Sequence, residues 1–94
     1  MPLQTSTLVV PGTGWNRLRG NTGRVGLDLW TDSAVVYIHD ARKTAATEGG
    51  RMIQNFLYQW RKRVHPWIVD EVWFYTSNAT AVNVYVLESI QSGP

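Results

Sequence analysis

RMIQNFLYQWRKRVHP, residues 51–66, is the stretch whose reading decides the fold. Met52, Ile53, Phe56, Leu57, Trp60 and Val64 fall at offsets 0, 1, 4, 5, 8 and 12. That spacing draws one stripe on a 3.6-residue period and predicts an amphipathic helix. Thr44 or Thr47 can cap its start, and His65-Pro66 ends it, because proline disfavours the α conformation in the residue before it. The rod so predicted has about 18 residues and a length of roughly 27 Å. Gly49-Gly50 weakens its first turn by about 1 kcal/mol per glycine relative to alanine.

Outward from this segment the chain alternates with period two. RVGLDLW (24–30) and SAVVYIHD (33–40) flank Thr31-Asp32-Ser33 and predict a first β-hairpin; Val25, Leu27 and Leu29 share one face, and Val36 and Ile38 another. VDEVWFYTS (69–77) and AVNVYVLES (81–89) predict a second hairpin turning near Ser77-Asn78-Ala79, with Val72, Phe74, Val82, Val84 and Val86 facing inward. MPLQTSTLVV (1–10) ends in a β-branched run that Pro11 stops, which suits an edge strand. PGTGWNRLRGNTGR (11–24) carries four glycines and three arginines around Trp15 and reads as a long loop. The expected fold is therefore α+β: hairpin, helix, hairpin, in a four- to five-stranded antiparallel sheet with one long helix on one face.

At 94 residues the chain is expected to form a single domain, 1–94, with one core. The absence of cysteine excludes disulfides and thiolate metal sites. A hydrophobic fraction of 44% and a charged fraction of 17% suit a globular protein. The chain has neither a basic leader before an apolar run nor an apolar stretch of membrane-spanning length, so the expectation is a cytoplasmic protein with no membrane contact. The net charge of +2 hides an asymmetry, since every lysine and arginine lies between Arg17 and Arg63 and the segment from Val64 onward carries only acidic charge.

The residues that alternate away from the core are aromatic. Trp30, Tyr37, Trp73, Tyr75 and Tyr85, with His39, point to the side a helix does not cover, and a patch of that size marks an interface. Three readings compete: a register slip or the Trp15 loop turns the patch into a second small core, two copies pack through it as a homodimer or larger homo-oligomer, or single-stranded nucleic acid stacks on it. Trp15, Arg17, Arg19 and Arg24 form a second candidate group, for an anion or a further protein partner. The glycines fit neither the dinucleotide fingerprint nor the P-loop, and no RNA-recognition signature is present.

Catalytic motifs are missing. Asp70 and Glu71 are adjacent and would point to opposite faces of a strand, and no nucleophile elbow occurs. His39 and His65 are the only imidazoles, so a metal site would need them to meet Asp40 or Asp70, and a small nuclease would need the two rings together in a cleft. Asn78-Ala79-Thr80 matches a glycosylation sequon but reads as turn chemistry. The expectation is a protein without cofactor, metal or catalysis that acts by protein contacts and self-associates through its aromatic sheet face. In style it is like the small accessory or inhibitor proteins that phages encode. Nucleic-acid binding is the first alternative, and a nuclease using His39 and His65 the second.

Overall fold

The computed structural model describes residues 3–33, 35–39 and 50–91. Among them there is no α-helix. Eight strands occur: β1 (Leu3–Val10), β2 (Gly14–Leu18), β3 (Arg24–Thr31), β4 (Tyr37–His39), β5 (Gly50–Arg51), β6 (Tyr58–Arg61), β7 (Val72–Thr76) and β8 (Val82–Ile90), with one 3-10 turn at Pro66–Val69 between β6 and β7. They form two four-stranded antiparallel sheets, sheet A in the order β1-β8-β3-β6 and sheet B in the order β2-β7-β4-β5. Every connection except β4 to β5 passes from one sheet to the other, which is the connectivity of a jelly roll.

The α+β expectation is thereby overturned, and the helix over 51–66 is the source of the error. Its stripe does not share a face: Met52 is buried, Ile53, Phe56, Leu57 and Val64 are exposed, and Trp60 is half-buried. Asn55 sits at φ 58°, a left-handed conformation that interrupts any helix and that asparagine tolerates better than most residues. After it, Tyr58 and Trp60 point inward while Gln59 and Arg61 point out, a period of two that the longer apparent period concealed. The caps proposed at Thr44 and Thr47, and Gly49, lie outside the described residues.

The strands were expected as hairpins, yet neither pair bonds internally. β3 pairs with β8 and β6, and β4 pairs with β7 and β5. The same device carries the chain across at both places. Thr31 donates its hydroxyl to the Asn83 carbonyl at 2.8 Å and accepts the Ser33 N–H at 3.2 Å; Thr76 donates to the Val35 carbonyl at 2.6 Å and accepts the Asn78 N–H at 3.1 Å. Both threonines are fully buried. A hydroxyl that closes a turn two residues on and also grips the neighbouring strand ends one strand without folding it back on itself.

Two sheets then cover each other, and no helix is needed. The core holds Val10, Leu18, Leu27, Leu29, Val36, Met52, Ile68, Val72, Phe74, Val82, Val84 and Val86, with Leu8, Ile38, Tyr58 and Trp60 packed against it. The inward faces expected from strand alternation are therefore correct, with one exception. A register shift between Arg24 and Gly26 marks a bulge, which leaves Val25 half-exposed and turns Arg24 into the interior. The N-terminal strand lies at the edge of sheet A, as its composition suggests, whereas the supposed loop over 11–24 contains β2. At the β1–β2 corner, Thr13 donates to the Asn78 carbonyl at 2.8 Å, and a Cβ on Gly12 would collide with the Ala79 carbonyl oxygen.

Candidate binding faces

Because the sheets are back to back, the predicted aromatic patch is divided between two opposite faces. Trp30 and Tyr85 lie on the outside of sheet A, on β3 and β8, in register and with ring centroids 4.8 Å apart. Tyr37, Trp73 and Tyr75 lie on the outside of sheet B. One contact surface cannot use all five.

On sheet A the two rings border a hollow of about 410 Å³, lined by Thr5, Thr7, Asp28, Trp30, Leu57, Tyr85 and Leu87 among others. Its one carboxylate is already matched, since Asp28 Oδ1 accepts from Arg61 Nη1 at 2.7 Å. Beside the hollow the connection from β5 to β6 presents Ile53, Phe56 and Leu57, at 59%, 49% and 52% exposure. This loop is held in place rather than loose. The Met52 N–H donates to Val36, the Asn55 N–H to Thr31 and the Gln54 side chain to Asp32, each at 2.8 Å, while the Ile53 N–H donates to the Tyr58 hydroxyl at 2.7 Å. An ordered loop that keeps three large apolar side chains in water is costly unless a partner covers them. The helical reading had assigned these three residues to the core; the polar pair Gln54-Asn55 between them was the available sign of a turn.

Sheet B carries a ring cluster with cations. Trp15 on β2 lies 5.0 Å from Tyr75, 4.9 Å from His39 and 6.4 Å from Trp73, and Tyr37 lies 6.4 Å from Tyr75. The Arg17 guanidinium sits 5.6 Å from the Trp73 ring centre and bonds Glu71 at 2.7 Å. Arg51 is paired opposite Tyr37 in the ladder. The second predicted group thus splits as well. Trp15 and Arg17 join the sheet B rings, and Arg19 is exposed beyond the end of β2. Arg24 is 1% exposed: its Nε donates to Glu88 at 2.8 Å, and its other nitrogens reach the carbonyls of Arg19, Ile68 and Asp70. It is a structural tie between the sheet A strands and the 3-10 turn.

His39 packs on Trp15 in sheet B, and His65 on Trp67 at the 3-10 turn, so the two imidazoles belong to separate ring clusters. Among the described residues no group of three or more histidine and carboxylate side chains is arranged to hold a metal ion, and no helix is long and apolar enough to cross a membrane. Asp40, invoked as a metal partner, lies outside the described residues. Tyr58 stacks on Trp60 at 5.4 Å against the core. No known family model, curated protein or solved structure matches this chain.

Proposed function

We propose that this is a non-catalytic binding protein that engages a protein partner through the outer face of sheet A. The observation that carries the reading is the hollow bordered by Trp30, Tyr85, Leu57 and Leu87 beside the ordered, exposed Ile53 and Phe56. Aromatic side chains at the centre of a partly enclosed apolar surface are the usual anchors of protein contacts. The residues that line the hollow include no lysine or arginine, and its carboxylate, Asp28, is neutralised by Arg61. An apolar side chain of the partner fits the hollow, and the role proposed for the contact is accessory or inhibitory. The jelly-roll topology itself hosts many functions and selects none of them.

Sheet B favours a second reading, single-stranded nucleic acid, because Arg17 and Arg51 lie on the same face as Trp15, Tyr37, Trp73 and Tyr75. The two readings differ in their response to salt. A phosphate-tracking site loses affinity steeply between about 50 and 200 mM salt, whereas an apolar contact changes little. The test compares capture of a purified partner, and of mixed single strands, by the wild type, by Tyr85→Ser with Leu57→Asp, and by Tyr75→Ser. Salt-insensitive protein binding lost only in the sheet A variant supports the proposal; binding of single strands lost only in Tyr75→Ser overturns it.

A further inference from the structure

We infer that two copies of this chain pair through β1, antiparallel and centred on Ser6, to make one continuous eight-stranded sheet A. β1 is an edge strand of eight residues, and all of it, LQTSTLVV, is free of charge and proline. The other edges among the described residues are protected. β6 carries Arg61 and runs into Lys62 and Arg63, β2 carries Arg17, and β5 has two residues. Long, uncharged, unbulged edges are the ones that pair with another strand, and the β1–β8 register runs without a shift from Leu3 to Val10.

The strand is also self-complementary. With Ser6 opposite Ser6 of the second copy, Thr5 faces Thr7 and Leu3 faces Val9 on the outer surface, while Gln4 faces Leu8 on the other. Leu3 and Val9 are 64% and 52% exposed in one chain, and this register sets each against the other. Threonine pairs and β-branched apolar pairs are favourable cross-strand neighbours.

The backbone agrees with the side chains. In an antiparallel strand the N–H and C=O of one residue point to the same edge, and successive residues alternate. Asn16 of β2 donates its side-chain amide to the Val9 carbonyl at 2.9 Å, so the odd-numbered residues turn away from β8 toward the open edge. The Ser6-centred register pairs odd residues with odd, Thr5 with Thr7 and Leu3 with Val9, so the edge groups of Leu3, Thr5 and Thr7 meet their counterparts, and the Val9 carbonyl, already held by Asn16, takes the Leu3 N–H on its second lone pair. A register shifted by one residue would leave them unmatched. The pairing also places the two sheet A hollows side by side, since Thr5 and Thr7 line each of them. It uses an edge and not the face, so it stands independently of the docking proposal above.

The natural absence of cysteine makes the test direct. Ser6 meets its own copy as a pair that is not hydrogen-bonded, with Cα atoms about 4.5 Å apart, within reach of a disulfide. Ser6→Cys should convert to a covalent dimer under mild oxidation at least tenfold faster than Ser77→Cys. Gln4→Cys should not cross-link with itself, because its copy lies four residues along the pair, about 13 Å away; mixed with Leu8→Cys it should form the heterodimer. Thr7→Pro removes an N–H from the open edge only, so it should leave the monomer's far-ultraviolet spectrum unchanged and abolish the dimer in light scattering. A wild type that stays monomeric as concentration rises, or a Ser6→Cys rate equal to that of Ser77→Cys, overturns the inference.

Discussion

Replacing Arg24 with methionine is the most severe single test of the packing described here. The guanidinium is 1% exposed, and its partner Glu88 is 8% exposed. Removing one member of a buried pair strands the other, at a cost of about 3–5 kcal/mol. The carbonyls of Arg19, Ile68 and Asp70 lose their donor as well. A domain of this length has a total stability of about 5–14 kcal/mol, so Arg24→Met should remove about a fifth of it or more. With a urea slope of about 1–1.5 kcal/mol/M, the unfolding midpoint should fall by about 2–5 M, followed by tryptophan fluorescence. Adding Glu88→Leu should restore most of the loss, because the unpaired charge goes with it, but should stop about 1–2 kcal/mol short where carbonyls stay unmatched. Arg24→Lys should fall between, since a single ammonium cannot reproduce the fork that touches four groups. A midpoint shift under about 0.5 M for Arg24→Met, or a double variant no more stable than the single, would refute the claim that Arg24 ties the bulge of β3 to β8 and the 3-10 turn.

Other consequences are simpler. Thr31→Val and Thr76→Val should each destabilise by about 1–2 kcal/mol in the same urea assay, because each leaves a turn N–H and a carbonyl, in part-buried bonds, without their partner. Gly12→Ala should cost at least about 1–3 kcal/mol, since its methyl group meets the Ala79 backbone and the two corners must separate; a neutral outcome would mean the corners do not touch. Arg17→Glu should change stability by no more than about 1 kcal/mol, because its pair with Glu71 is exposed, yet it should abolish any salt-dependent binding of single strands.

Much of the strand inventory was legible because strand alternation is a local signal. Leu27, Leu29, Val72, Phe74, Val82, Val84 and Val86 show the period of two in the sequence, and all face the core. The pairing partners were not legible. A turn such as Thr31-Asp32-Ser33 looks the same whether the chain folds back or crosses to a second sheet, and the difference lies in hydroxyl bonds to Asn83 and Val35, 52 and 41 residues away. The segment from Arg51 to Pro66 misled for a related reason. Apolar residues lie both in an exposed loop and on a half-buried strand, and their sum imitates a helical stripe. The aromatic residues were identified as outward-facing, but dividing them required the sheet order. Arg24 was read as exposed because nothing in RGNTGRVG announces the bulge that turns it inward.

The claim on which the rest depends is that 50–66 contributes a strand to sheet A, so that the aromatic residues separate onto two faces. Nuclear Overhauser contacts measure this directly in a labelled sample. The account predicts cross-strand contacts from Leu27 to Trp60 and from Leu29 to Tyr58, together with contacts between Trp30 and Tyr85 and between Trp15 and Tyr75, and none between Trp30 and Tyr75. An unbroken series of sequential amide–amide contacts through residues 51–65, with no contact from Tyr58 or Trp60 to β3, would contradict it.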